Sequence, residues 1–339
     1  MPATLALMAT APQPNVRAQI SSRYRHFARF GAAGRSPVYE RIANAVAEDA
    51  QILEWLAAMP EPKQQPNLLL GAVRFLYGTP EEPGEFISLV HERQRHLAAV
   101  MRVRSTQTNE PARCATLLPV LAGLPQPLAL LEVGTSAGLC LLVDRYAYAY
   151  GGTVIEPSAP SAVTAPRFAC RASPRTPLPE RNIEVAWRAG LDRRPLKLDN
   201  DEDVRWLEAL VWPGEEYRIP QLRAAIDVAR AHPPRLVVGD LRRDFKQLAA
   251  EAPPDATLVV YHTAVLAYVR EAEERAAFAR SVAEVGGVWL ANEGIENIPG
   301  APSEPFGEPA RQDAFLMCVD GDPVAWVDSH GTWIEWRGS

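Results

Sequence analysis

The stretch Leu128–Leu139, Leu-Ala-Leu-Leu-Glu-Val-Gly-Thr-Ser-Ala-Gly-Leu, constrains the fold more than any other part of the chain. Its first six residues are apolar but for Glu132, too few for a helix, and end at a glycine, which is the pattern of a strand buried on both faces. Gly134 permits a sharp turn, and Gly138 permits close contact where the next element begins. The spacing predicts a helix over 139–148 whose free N–H groups face the turn. A strand, a glycine-rich turn and a helix in succession open a doubly wound α/β sheet.

The rest of the chain fits that beginning. From Leu128 onward, short apolar runs alternate with amphipathic helices. Candidate strands are 128–133, 183–187, 235–238, 257–261, 287–291, 314–319 and 323–327, with 332–336 read as a continuation of the last. Helices are expected over 201–211, 219–231, 242–250 and 272–285. No helix separates the final strands, and Gly321-Asp322 reads as a hairpin turn, so the sheet should end antiparallel. Residues 149–182, rich in Pro, Ser and Arg, read as an insertion. Upstream, apolar residues recur at helical spacing, as in Tyr39, Ile42, Ala43, Val46 and Ala47, and Ser36-Pro37 reads as a cap followed by proline at the first helical position. The expected architecture is a helical domain over 1–123, then a Rossmann-like, doubly wound, mostly parallel seven-stranded sheet over 124–339.

Composition narrows the function classes. The 339 residues carry a formal net charge of −6, and their arginines are scattered, which disfavours nucleic acid or an anionic membrane as partner. The four cysteines are far apart and show no metal-ligand spacing. The opening residues 1–14 lack a basic region and carry only a short apolar run, unlike a signal peptide, and no run is long enough to span a bilayer. A soluble, cytoplasmic protein acting on a small molecule is expected; the oligomeric state is not readable.

In an open α/β sheet, ligands lie at the carboxyl ends of the strands. Here those ends are polar: Gly190-Leu-Asp192, Gly239-Asp240, Tyr261-His262-Thr263 and Asn292-Glu293-Gly294. Aspartate there also serves as a helix cap, so both roles stay open. His262 is the natural general base, with Tyr261 and Glu293 as neighbours. Gln107-Thr-Asn109-Glu110 with Arg113 is a dense polar group just before the first strand and a candidate substrate-binding element. The competing reading is a capped turn with Glu110 and Arg113 paired. Trp206 and Trp212 read as packing.

The first strand and turn resemble the cofactor loop of class I S-adenosylmethionine-dependent methyltransferases at Glu132, Gly134 and Gly138, with Ser136 in place of the middle glycine. That resemblance implies S-adenosylmethionine over Gly134–Gly138, its ribose on Asp192 and its adenine near Asp240, with Ser136 donating to the cofactor carboxylate. The same residues match the G-x-S-x-G nucleophile elbow of α/β-hydrolases, in which Ser136 would pair with His330 and an acid such as Asp240 or Glu293. The upstream helical region and the absence of an HGGG-like segment fit the hydrolase pattern poorly. A third possibility is a non-catalytic binding protein that keeps the fold.

Pro66-Asn67-Leu-Leu-Leu70, Gln107-Thr-Asn-Glu110, Leu131–Gly138, Asp144-Arg-Tyr146 and Val260–Val265 together resemble a bacterial family of unknown function over nearly the whole chain. That resemblance implies no activity, so the methyltransferase expectation rests on the strand-end pattern and on analogy of fold.

Overall fold

The computed structural model describes residues 14–302, 304–307, 311 and 313–338, so residues 1–13 of the opening segment lie outside the described residues. The helices in chain order are α1 (Pro14–His26), α2 (Pro37–Glu48), α3 (Ala50–Ala57), α4 (Pro66–Tyr77), α5 (Pro83–Val103), α6 (Cys114–Ala122), α7 (Asp201–Ala209), α8 (Arg218–Ala231), α9 (Phe245–Ala249) and α10 (Ala272–Glu284). The chain divides into a helical unit, 1–107 with 205–217, and a sheet-bearing unit, 108–204 with 218–339. Thr108–Ala122, read in the sequence with the helical region, therefore belongs to the sheet-bearing unit, and a later excursion of the chain returns to the helical one.

The helical unit follows local rules. The Ser36 hydroxyl accepts the N–H of Tyr39 at 3.4 Å with Pro37 at the first turn, and Asp49 Oδ1 accepts from Ile52 at 2.7 Å to start α3. The returning segment plugs its core: Trp206 is fully buried, packs edge-on to Phe75 and donates its indole N–H to Ser105 O at 3.0 Å. Trp212 packs against Phe27 and Tyr39. Packing is thus the role of both tryptophans.

The sheet-bearing unit is mixed α/β. Its strands are β1 (Leu128–Val133), β2 (Ala147–Tyr150), β3 (Thr153–Ile155), β4 (Arg167–Ala169), β5 (Arg171–Ala172), β6 (Val185–Asp192), β7 (Arg235–Val238), β8 (Thr257–Thr263), β9 (Val288–Glu293), β10 (Ala314–Val319), β11 (Asp322–Asp328) and β12 (Trp333–Trp336). The main sheet has nine strands in the order β5-β12-β11-β10-β9-β8-β1-β6-β7. From β9 to β7 all neighbours are parallel, whereas β9 to β12 run antiparallel. All six residues of β1 are buried, as its near-continuous apolar run requires at the centre of a parallel sheet.

Four expectations change. The sheet has nine strands rather than seven, because 333–336 pairs with β11 as a strand of its own and β5, from the insertion, adds beyond it. The rest of the insertion forms a separate three-stranded sheet, β3-β2-β4. The hairpin between β10 and β11 turns on Asp320 and Gly321, at φ 51° and 92°, one residue earlier than expected; both central residues of this tight turn need positive φ, which Asp-Gly tolerates.

The fourth change bears on the site. Residues 139–148 do not form an α-helix: Leu139–Arg145 is a 3-10 segment interrupted at Leu142, and the chain then enters β2. The carbonyls that helical N–H groups would use are taken by side chains. Tyr146 donates to Leu139 O at 2.9 Å, Tyr261 to Cys140 O at 3.0 Å, Arg188 to Leu141 O at 2.9 Å and Tyr148 to Val143 O at 2.6 Å. Buried donors with no water to turn to outcompete the helical ladder.

Candidate functional site

The carboxyl ends of the parallel strands carry the polar residues that the sequence singled out. In the turn after β1, Gly134, Ser136 and Gly138 all have positive φ, at 73°, 53° and 76°. Ser136 is the costly member, since a side chain there is strained. Its N–H donates to Asp192 Oδ2 at 2.9 Å, and that of Leu139 to Asn109 Oδ1 at 2.9 Å. The donors expected to face a ligand are therefore spent inside the protein. The glycines serve the same end. A Cβ on Gly134 would lie 2.3 Å from Val265 Cγ2, and one on Gly138 would lie 2.8 Å from Leu236 and Pro234, so protein side chains fill the space expected for a ligand.

Glu132, inside β1, is buried and accepts the Thr135 hydroxyl at 2.6 Å. Burial pushes its carboxyl up to about 8, against smaller opposing effects of the Thr135 hydrogen bond and the Arg113 charge.

Tyr261, His262 and Glu293, the expected catalytic trio, are all buried. The His262 ring is enclosed by Phe278 and Trp289 and lies 2.7 Å from Glu293 Oε1 through Nδ1. Trp289 Nε1 donates to its Nε2 at 2.9 Å. Glu293 Oε1 also accepts the N–H groups of Val265 and Leu266 at 2.7 and 3.1 Å. Both ring nitrogens and this carboxylate oxygen are committed to holding the turn after β8. The Tyr261 phenol is held well above its ordinary value by burial. That turn is itself strained, with Ala264 at φ 60°.

Around Thr263 the pre-strand polar group assembles. Arg113 donates through Nε to Ser329 O at 2.7 Å and through Nη1 to Thr263 O and Oγ1 at 3.3 and 3.2 Å. Glu110 forms a buried ion pair with Arg218, accepting from its Nε at 2.6 Å, and takes the N–H of Ala112 at 3.1 Å. The Glu110–Arg113 pairing considered from the sequence is replaced by Glu110–Arg218. Gln107 is the last residue of the helical unit before the division.

At the other side of β1, Asp192 and Asp240 end neighbouring strands, and the Gly239 N–H donates to Asp192 O at 2.9 Å. Asp192 Oδ1 accepts from the Arg194 N–H at 2.7 Å in addition to the Ser136 bond on Oδ2. Asp240 is clasped by Arg242 through two side-chain bonds of 2.8 and 2.6 Å, and the guanidinium holds its carboxyl down at about 2. Arg193, Gly239, Asp240, Arg243, Glu274 and Phe278 are among the residues lining a cleft of about 860 Å³.

The acids named for a Ser136 triad are elsewhere engaged: Asp240 holds Arg242 and Glu293 holds His262, while His330 Nδ1 sits 3.4 Å from Arg218 Nη1. Trp289, Arg218 and Val265, which complete these clusters, are not legible in the sequence as partners in them, because each meets its partner from a separate part of the chain. Among the described residues no group of His, Cys, Asp and Glu could hold a metal ion, and no helix is long and apolar enough to cross a membrane.

These features define a mixed α/β protein whose buried polar residues gather at the carboxyl ends of a parallel sheet. The chain belongs to the family described as uncharacterized protein conserved in bacteria (DUF2332), whose model matches residues 21–336. No curated protein and no solved structure matches it.

Proposed function

We propose that the sheet-bearing unit binds a nucleoside-type cofactor, S-adenosylmethionine, and transfers its methyl group to a small-molecule acceptor. The observation that carries this reading is the adjacency of Asp192 and Asp240 at the ends of neighbouring parallel strands, with Asp240 lining a cleft of about 860 Å³. The parallel strands run β9-β8-β1-β6-β7, so progress along the sheet reverses at β1, a Rossmann-like order in which ligands settle outside the carboxyl ends.

The residues fit the nucleoside half of such a cofactor. Asp240, held down at about 2, is ionised at neutral pH and can accept from an amino group. Asp192, whose two oxygens accept the N–H groups of Ser136 and Arg194, is the carboxylate offered to a ribose hydroxyl. The amino-acid half finds less. The N–H groups of Ser136 and Leu139 are already bonded, so anchoring falls to the nucleoside end. The cofactor would supply the electrophilic methyl group, and the chain would supply position and exclusion of water. Tyr261, His262 and Glu293 act in this reading as a rigid support for the turn after β8, with no proton transfer assigned to them.

Calorimetry and thermal shift with S-adenosylmethionine and S-adenosylhomocysteine test the reading. Ligand at 100 times its Kd should stabilise the protein by about 2.7 kcal/mol, and Asp240→Ala should weaken binding about tenfold, or ~1.4 kcal/mol. Folded protein that binds neither compound would overturn it.

A further inference from the structure

On the sheet face opposite the His262–Trp289 cluster lies a buried cation without a counter-ion. Arg113 is 6% exposed, and its Nε and Nη1 reach only neutral oxygens, those of Ser329 and Thr263. Among the described residues its side-chain hydrogen bonds run through Nε and Nη1 alone, and it makes no salt bridge. Glu132, whose carboxyl the Arg113 charge pulls down against the larger effect of burial, still stands at about 8 and is mostly protonated at neutral pH. Burying an uncompensated guanidinium is expensive unless an anion joins it.

A second observation points to the same place. Asn292 is fully exposed to no solvent (0%), and neither its Oδ1 nor its Nδ2 has a hydrogen-bond partner. Buried amides are almost always satisfied, and one with both ends free costs several kcal/mol, by order of magnitude. Asn292 on β9 is in register with Thr263 on β8, so the two side chains stand together on one face, beside the Thr263 hydroxyl that Arg113 holds. The Arg113 guanidinium lies 6.0 Å above the Phe315 ring, an apolar wall. Ser329 and His330, both half-buried, are the outer members of the cluster.

We propose that Arg113, Thr263 and Asn292 together bind a small monocarboxylate that carries a hydroxyl group next to its carboxyl carbon. One uncompensated positive charge matches a monoanion; Arg218, the next cation, is already neutralised by Glu110. The planar carboxylate fits the free guanidinium N–H groups and the Asn292 NH₂. The remaining Asn292 carbonyl oxygen needs a donor close to the carboxylate, which an adjacent hydroxyl supplies without adding charge. Arg113, Thr263 and Asn292 are not among the residues lining the cofactor cleft, so this proposal does not depend on the cofactor.

Titration calorimetry with glycolate and lactate, against acetate, propanoate, alanine, phosphate and sulfate, tests it on the full chain without cofactor. Glycolate or lactate should saturate one site about tenfold more tightly than acetate or propanoate, and phosphate, sulfate and alanine should bind more weakly still. Asn292→Leu, which removes two unsatisfied buried groups, should unfold at the same or a higher temperature than wild type and lose the tenfold hydroxyl preference. Arg113→Lys, retaining the charge without the fork, should weaken lactate binding by tenfold or more. Absence of saturable binding by both hydroxy acids overturns the proposal. So does tighter binding of phosphate or sulfate, or a hydroxyl preference that survives in Asn292→Leu.

Discussion

His262 Nδ1 and Glu293 Oε1 face one another at 2.7 Å inside the protein, and the Trp289 indole N–H closes the other side of the imidazole at 2.9 Å. Because Nε2 accepts from an indole, the ring proton resides on Nδ1 and the histidine donates to the glutamate. The pair ties the end of β8 to the end of β9 and, through the N–H groups of Val265 and Leu266, fixes the turn that presses on Gly134.

Removing the imidazole should therefore damage the fold before any chemistry. His262→Ala leaves the Glu293 carboxylate and the Trp289 N–H buried and short of a partner, which should cost about 3 kcal/mol. Chemical denaturation of the variant and wild type measures this, and nitrogen-detected NMR of the wild type should show the Nδ1–H tautomer alone. A stable His262→Ala protein would remove the support role.

Glu132 should tilt stability with pH. Its carboxyl rises from an ordinary 4.5 to about 8 on folding, so the folded state holds the proton more tightly than the unfolded state. Its contribution is full below about 4.5 and falls as pH rises toward 8, at up to about 1.4 kcal/mol per unit. Glu132→Gln keeps the neutral shape and removes that slope. Calorimetric melting at pH 5 and pH 8 should show the variant gaining on wild type at the higher pH; an equal difference at both would refute the assignment.

The contact between the turns after β1 and β8 can be dissected. Gly134→Ala meets Val265 Cγ2 at 2.3 Å and also places a side chain at φ 73°. We expect a loss of about 3 kcal/mol. Val265→Ala in the same chain should recover part of it, because the Cγ2 contact goes while the 2.6 Å contact with the Cβ of residue 265 and the backbone strain remain. Equilibrium unfolding of the four proteins of the double-mutant cycle gives the coupling, and strict additivity would mean the turns do not press on each other.

Ala264 offers the converse test. At φ 60° a methyl side chain is strained, and glycine at that position is free of the strain. Ala264→Gly should raise stability by about 1 kcal/mol or leave it unchanged after the entropic cost of glycine. A higher melting temperature with altered ligand binding would show that the strained turn shapes the binding surface.

Much of the architecture was written locally. The apolar run of β1, the cap at Ser36, the alternation of strands and helices and a hairpin at Gly321 depend on residues close in sequence, so periodicity and turn chemistry expose them, with the turn itself one residue earlier than read. The failure over 139–148 has the opposite cause. Those residues have a helical pattern, but hydroxyls of Tyr146, Tyr148 and Tyr261 and the guanidinium of Arg188 take their carbonyls, and two of these groups come from strands far along the chain. The site divides the same way. Its residue types were visible at the strand ends, yet His262 and Glu293 became mutual partners, and Glu110 left Arg113 for Arg218, 108 residues away.

The segment Leu128–Leu139 by itself determined that a buried central strand ends in a strained, glycine-dependent turn, because only glycine and a few strained residues accept such backbone angles. What fills the space beside that turn was decided by tertiary structure. Val265, Leu236 and Pro234 occupy it, Asp192 and Asn109 take its N–H groups, and the open cleft lies instead beyond β6 and β7. Local sequence sets backbone angles, but whether a buried N–H meets a ligand or a side chain depends on which distant residue the fold brings within 3 Å, a distance set by hydrogen bonding itself.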